Sequence, residues 1–92
     1  MKLFHNISLK YAIEKSLEVN DMNIPEMISV DSSNVKAVGY DGANLFVCFK
    51  INTLYVYFDV PKKVYDGLMQ ASSKGSFLHQ HVMNRYRYEK LK

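Results

Sequence analysis

The sequence predicts one small α+β domain, in which an N-terminal helix precedes a three-stranded antiparallel meander and two short C-terminal helices pack on one face of the sheet. Three patterns predict this class. Apolar residues recur every four positions over residues 6–20, alternate singly over residues 35–58, and return to helical spacing after Pro61. The 92 residues leave room for a single hydrophobic core.

The N-terminal stretch has the spacing of an amphipathic helix. The apolar residues in this pattern are Ile7, Tyr11, Ile13 and Leu17. Asn6 or Ser8 is a suitable N-cap, because a short polar side chain can accept a hydrogen bond from a free backbone N–H. Pro25 marks a connector. We therefore expect a helical extension over residues 1–27 and a domain over residues 28–92. The helix either covers a sheet face or forms an interface with another chain.

Three runs of alternating residues, 35–40, 45–50 and 54–58, predict the strands of the meander. Gly42 and Asn52 suit the intervening turns, because glycine and asparagine tolerate left-handed backbone best. One side of the second and third strands is apolar throughout: Leu45, Val47, Phe49, Leu54, Val56 and Phe58. We expect that side to pack on the C-terminal helices, and the opposite side to carry Tyr55 and Tyr57 beside Phe46.

Two short helices are predicted after the meander. Pro61 suits the first turn of a helix, where its missing N–H has no intrahelical partner in any case. Val64 and Leu68 lie four residues apart and begin the inward stripe. Gly75 is expected to end this helix, and Ser76 to cap a second helix over residues 77–86.

A series of short motifs runs from Val30 to Leu91: SSN, AVGYD, LFVCF, LYVYFDVP, VYDGL, ASSKGSF, HV and RYRYEKL. In this order the motifs resemble those of the KTSC domain family. That family occurs alone in many bacterial proteins and at the C-terminus of some lysyl-tRNA synthetases, and it has no settled biochemical role. The resemblance therefore implies an architecture more than an activity. The chain departs from the family pattern at Asn52 (usually Gly), His79 (usually Asn) and Arg87 (often Pro), while His81 resembles a basic or His position.

The charges are unevenly distributed along the chain. After Val60 the sequence has seven Lys and Arg against two Asp and Glu, whereas residues 1–60 have five against seven. A basic C-terminal third attracts polyanions at long range. The alternative interpretation is that the two short helices have an ordinary solvated face.

Composition also limits the cellular compartments in which the chain is expected. Its single cysteine, Cys48, excludes an intramolecular disulfide framework and is typical of a reducing compartment. The first residues lack the pattern of a secretory signal, and no apolar run approaches the roughly 20 residues that a membrane-spanning helix needs. We expect a cytoplasmic location and no membrane partner.

Two clusters are candidates for binding. Tyr55 and Tyr57 on an open sheet face would stack on bases, unless they pack beneath the N-terminal helix. The run from Arg85 to Tyr88 alternates cations with aromatic rings, which suits phosphates and bases; a packed tyrosine pair flanked by exposed arginines is the alternative. The complete candidate set for nucleic-acid or ligand binding is Tyr55, Tyr57, Lys62, Lys63, Lys74, His81, Arg85 and Arg87.

Metal binding and catalysis are not favoured. His79 and His81 lie two residues apart on a predicted helix, so their side chains point in directions about 200° apart and cannot share one ion. Cys48 lies among apolar strand residues, where a cysteine usually acts as a small hydrophobe. We expect no metal, no cofactor and no catalytic residue.

These patterns favour a small non-catalytic binding module, most directly for RNA or another single-stranded nucleic acid. The alternative is a module that binds another protein or sequesters a nucleotide ligand, such as a phage or mobile-element accessory protein that acts as a homo-oligomer. Steep salt dependence would distinguish the first class from the second.

Overall fold

The computed structural model describes residues 23–92, which form a five-stranded antiparallel sheet and two α-helices. The elements in chain order are β1 (Ile28–Ser29), β2 (Val35–Tyr40), β3 (Leu45–Phe49), β4 (Thr53–Tyr57), α1 (Lys62–Gln70), α2 (Lys74–His81) and β5 (Tyr88–Lys90). The strands lie side by side in this same order. The mixed class with two C-terminal helices is confirmed, but the prediction of three strands is wrong. The predicted helix over residues 6–20 lies outside the described residues.

The two unpredicted strands form the edges of the sheet. β1 is only two residues long, with Ile28 opposite Val38 and Ser29 opposite Ala37. That length is too short to show an alternating pattern. β5 follows a helix that ends at His81, five residues earlier than predicted. Asn84 adopts a left-handed conformation with φ of 69°, which ends the helical path and returns the chain to β4.

The turns between the central strands form as predicted. The Asp41 side chain accepts hydrogen bonds from the backbone N–H groups of Ala43 at 2.9 Å and Asn44 at 2.7 Å. Gly42 takes a φ of 99° in this turn. Asn52, with φ of 67°, occupies the left-handed position of the next turn. The sequence prediction for this residue is confirmed.

The link between the two helices differs from the prediction. Pro61 immediately precedes α1, with φ of −65°, but α1 ends at Gln70 rather than at Gly75. The Lys74 ammonium donates to the carbonyls of Met69 at 3.0 Å and Ala71 at 2.6 Å, so it satisfies acceptors that the helix end leaves free. Ser73 rather than Ser76 caps α2, because its hydroxyl oxygen accepts the N–H of Ser76 at 3.2 Å.

The register of β3 and β4 reverses the predicted sheet faces. Leu45 lies opposite Tyr57, and Val47 lies opposite Tyr55. Because directly paired residues point to the same side, both tyrosines share the face that packs on the helices. Leu54, Val56 and Phe58 therefore lie on the other side, and their predicted position is wrong. Alternation sets the phase within one strand, but the turn sets the phase between two strands, and a slip of one residue exchanges the faces.

Both faces of the sheet are covered by apolar side chains. On the helix face, buried residues of the sheet pack against buried residues of α1 and α2 and the segments beside them: Val35, Val38, Leu45, Val47, Tyr57, Val60, Leu68, Leu78 and Val82. The opposite face carries a second cluster of Phe46, Leu54, Val56 and Phe58, with Ile24 and Met27 packed against it. Each fully buried apolar side chain contributes about 1.5–3 kcal/mol. The segment that enters β1 is thus part of the folded core.

Gly39 provides a test of that second layer. A Cβ atom on Gly39 would lie 2.7 Å from the Met27 sulfur and 2.9 Å from the Glu26 carbonyl oxygen, so backbone would have to move. We expect Gly39→Ala to lower the free energy of unfolding by about 1–3 kcal/mol, measured by urea denaturation.

Gly75→Ala is the matched control for this substitution. The nearest atom to a Cβ on Gly75 is Asn34 Nδ2 at 3.5 Å, which is ordinary contact. Because Gly75 lies within α2, alanine should raise helix propensity and add up to about 1 kcal/mol. Equal losses in the two variants would contradict the assigned packing of residues 25–27.

Candidate functional site

Three tyrosines lie together on the helix face where β4 and β5 pair; we name Tyr55, Tyr57 and Tyr88 the tyrosine cluster. The rings of Tyr55 and Tyr57 have centroids 6.3 Å apart and planes inclined by 16°. The Tyr88 ring lies 5.8 Å from each of them. The cluster exists because Tyr57 pairs directly with Tyr88 across the two strands.

The tyrosine cluster runs from the core to solvent. Tyr57 is 3% exposed and belongs to the core, whereas Tyr88 is 55% exposed. Tyr55 is partly buried between them and meets the ring of Phe49 edge-on at 5.7 Å. Two buried or half-buried rings therefore support one exposed ring, and this arrangement holds Tyr88 in a defined orientation.

Burial changes the acidity of the innermost tyrosine. Burial raises the pKa of the Tyr57 hydroxyl to about 12, and the neighbouring hydroxyls of Tyr55 and Tyr88 add to the shift. The charged phenolate is disfavoured in this apolar setting.

Three exposed lysines lie on the strands that carry the cluster or near their ends. Lys90 pairs with Tyr55 across the strands, so it lies on the same side of the sheet as Tyr88. Lys50 follows Phe49 in the turn before β4, and the carbonyl of Lys92 accepts the N–H of Leu54 at 2.8 Å near that same end of the strand. All three lysines are exposed. This combination of an exposed aromatic ring and cations can bind an aromatic anion.

The other predicted basic residues do not join this cluster. Lys62 pairs with Asp66 one turn along α1, with nitrogen to oxygen distances of 3.0 Å. Lys63 is exposed on the same helix. Lys74 donates hydrogen bonds to carbonyl groups at the end of α1. This structural role accounts for a lysine at this position without a ligand.

The C-terminal arginines lie apart from each other. Arg85 donates from Nε to the carbonyl of Gln80 at 3.1 Å. The Arg87 guanidinium lies over the Phe58 ring at 4.5 Å, on the opposite face, and 3.9 Å from the Asp59 carboxylate. His81 is exposed at the end of α2, with its ring 4.5 Å from that of Phe77. The predicted binding set is therefore spread over several surfaces.

Tyr55 and Tyr57 come together as the sequence predicts, but on the helix face and not on an open face. Sequence reasoning missed Tyr88 and Lys90 as partners of this cluster. A signal for them is present, because Tyr86, Tyr88 and Lys90 alternate with the period of a strand. Assigning Tyr86 to a helix obscured that pattern.

A metal site, a reactive cysteine and a membrane-spanning helix are the other features that would bear on function. Within residues 23–92 no three His, Cys, Asp or Glu side chains are placed to hold a metal ion. Cys48 is partly buried and packs against the apolar cluster of the opposite face. Neither helix of this part of the chain is long and apolar enough to cross a membrane.

The fold is that of a small α+β domain, in which a five-stranded meander carries two helices on one face. The KTSC domain model matches residues 31–86, which is more than half of the chain. The chain therefore belongs to the KTSC domain family.

Relatives of the chain include stand-alone and appended domains. A protein of Tsukamurella paurometabola is 36% identical over 63 residues, which cover 66% of this chain and 94% of that protein. A lysine–tRNA ligase of Nostoc is 30% identical over 78 residues, which cover 83% of this chain but 14% of the ligase. The crystal structure of a KTSC domain protein from Yersinia pestis matches with a TM-score of 0.70 and 28% identity, covering 73% of this chain and 97% of that one.

The raised pKa of Tyr57 predicts a loss of stability at high pH. Between pH 10 and about 12, the unfolded chain releases the Tyr57 proton while the folded chain retains it. The unfolded state then binds fewer protons, so the free energy of unfolding falls as pH rises, by on the order of 2 kcal/mol across the window.

Tyr57→Phe isolates this contribution. Burial also raises the pKa of Tyr40, so the measured quantity is the difference between wild type and Tyr57→Phe in urea denaturation. The free energy of unfolding of wild type minus that of Tyr57→Phe should fall as pH rises through the window. A difference that is constant with pH would mean that Tyr57 titrates alike in the folded and unfolded states.

Proposed function

We propose that this chain is a small non-catalytic module that binds single-stranded nucleic acid, with RNA as the first candidate, at the solvent end of the tyrosine cluster. The single observation that supports this most is Tyr88. This residue is 55% exposed, yet its ring is held 5.8 Å from the rings of the buried Tyr57 and the partly buried Tyr55. An exposed ring in a fixed orientation is suited to stacking on a base, which contributes about 1–3 kcal/mol per base.

The charges around Tyr88 support the same proposal. Lys90 lies two residues along β5, about 7 Å from Tyr88 on the same face, while Glu89 points to the other side because it pairs with Val56. Lys50 and Lys92 are exposed near the first residues of β4. A strand whose base stacks on Tyr88 would thus have its phosphates near cations rather than near a carboxylate.

A binding role without catalysis is supported by what the acidic side chains do. Asp41 accepts two backbone hydrogen bonds in a turn, and Asp66 pairs with Lys62. Asp59 lies beside Arg87. A part of a lysine–tRNA ligase is similar to this chain, and this similarity favours RNA as the ligand.

Protein interaction is the second candidate function. One observation favours it: in the sheet formed by residues 23–92, the outer edge of β5 has no neighbouring strand.

Binding of labelled single-stranded RNA, followed by fluorescence anisotropy, tests the proposal. Tyr88→Ala should weaken binding by about 5- to 150-fold, the equivalent of one lost stacking contact. Lys90→Gln should weaken it and lower the salt slope by about 0.7, the value for one phosphate contact on a single strand.

Two control variants locate the site. Ile28 is 45% exposed on the opposite edge of the sheet, so Ile28→Ala should leave affinity unchanged. Lys63→Gln removes an exposed cation of α1 and should have little effect. If Lys63→Gln weakened binding while Tyr88→Ala did not, the helix surface and not the tyrosine cluster would be the site. Absence of salt-dependent binding would refute the proposal altogether.

A further inference from the structure

The outer edge of β5 has main-chain groups directed away from the sheet. The N–H of Phe58 donates to the carbonyl of Arg87 at 2.8 Å, and the N–H of Leu91 donates to the carbonyl of Leu54 at 2.6 Å. In an antiparallel ladder the direction of these groups alternates from residue to residue. Arg87, Glu89 and Leu91 therefore point toward β4, whereas Tyr88 and Lys90 direct their N–H and C=O groups outward.

The side chains at this edge are of mixed charge. Tyr88, Glu89 and Lys90 are all exposed, and the Arg87 side chain is 67% exposed. Edges are commonly protected by charged side chains, proline or bulges. Residues 84–92 contain no proline, and their charges are of both signs. Such an edge can pair with a strand of complementary charge.

We propose that β5 pairs with β5 of a second copy of this chain, in antiparallel orientation, about a two-fold axis at Tyr88. This register makes two main-chain hydrogen bonds between the two Tyr88 residues, because their polar groups point outward. It also places Arg87 of each protomer opposite Glu89 of its partner. These two pairs occupy the non-hydrogen-bonded positions, where facing side chains approach most closely. The result is one continuous sheet of ten strands, twice the five of each protomer.

Charge selects this register among those that the backbone allows. A two-fold axis at Glu89 would pair Tyr88 with Lys90 and would bring the two Glu89 carboxylates together. An axis at Lys90 would bring the two Lys90 ammonium groups together. Both arrangements place like charges directly opposite each other, which destabilises paired strands. Only the axis at Tyr88 places opposite charges face to face.

The local structure prepares Arg87 for this contact. Its guanidinium lies 4.5 Å from the centroid of the Phe58 ring, and this stacking restricts the side chain before any partner arrives. The Asp59 carboxylate at 3.9 Å is a weak competitor, because both side chains of that pair are mostly exposed. Glu89 forms no ion pair within residues 23–92. Pairing would provide it with one.

Self-association of this kind is independent of nucleic-acid binding. The tyrosine rings project from the helix face of the sheet, whereas the pairing uses main-chain groups at the edge of β5. The two clusters would lie side by side across the axis, with Tyr88 of one protomer next to Tyr88 of its partner. Dimerisation would thus extend the aromatic surface and not block it.

Charge exchange across the axis tests the proposal, with sedimentation equilibrium of the full chain from micromolar to millimolar concentration as the measurement. Wild type should pass from monomer to dimer. Arg87→Glu and Glu89→Arg should each raise the dissociation constant about tenfold or more, because each places like charges opposite each other.

Two combinations should restore the dimer. The double variant R87E/E89R exchanges the signs and should dimerise like wild type. An equimolar mixture of the two single variants should form a heterodimer, in which each Glu faces an Arg. Circular dichroism confirms that each variant is folded.

Three results would overturn the proposal: a wild type that stays monomeric at millimolar concentration, single variants that dimerise as wild type does, or a double variant that fails to recover. An oligomer that is insensitive to both charges would show association through another surface. None of these measurements involves RNA, so failure here and failure of nucleic-acid binding are separate outcomes.

Discussion

The pairing of β3 with β4 is the constraint on which the rest of the domain depends. The turn at residues 50–52 closes with Phe49 opposite Thr53, and Asn52 in the left-handed region makes so short a connection possible. This register directs Tyr55 and Tyr57 toward the helices. It leaves the other apolar set of β4 on the opposite face, where the segment from Ile24 to Met27 packs against it.

The position of the candidate site follows from the same register. Since the tyrosines of β4 point toward the helices, the partner strand β5 places Tyr88 and Lys90 on that side and Arg87 on the other. The helices bury Tyr57 but leave the end of the cluster at Tyr88 exposed. The three-residue strand and the arginine before it thus provide an aromatic ring to one face, a guanidinium to the other, and outward-directed main-chain groups to the edge.

Features encoded by single residues could be predicted from the sequence. Asn52 and Gly42 identify the turns, Pro61 identifies the start of α1, and the alternating runs identify β2, β3 and β4.

Relations between elements could not be predicted in this way. Every residue from Leu54 to Phe58 is apolar or aromatic, so polarity gave no signal for which side faces the helices. Lys74 and Ser73 set the break between the helices by side-chain contacts to backbone, which Gly75 does not reveal. Residues 78, 82 and 86 keep the apolar spacing of a helix, but Asn84 lies in the left-handed region and the chain turns toward β5.

The proposed site depends on the burial of Tyr57 and the exposure of Tyr88. The most direct test is nitration of tyrosines by tetranitromethane, with the modified residues mapped by mass spectrometry at early times. The reagent modifies accessible tyrosinate. Tyr88 should therefore react early, while Tyr57, which is 3% exposed and has a pKa raised to about 12, should react last. Equal nitration of Tyr57 and Tyr88 in the folded protein would contradict the strand register and, with it, the proposed site.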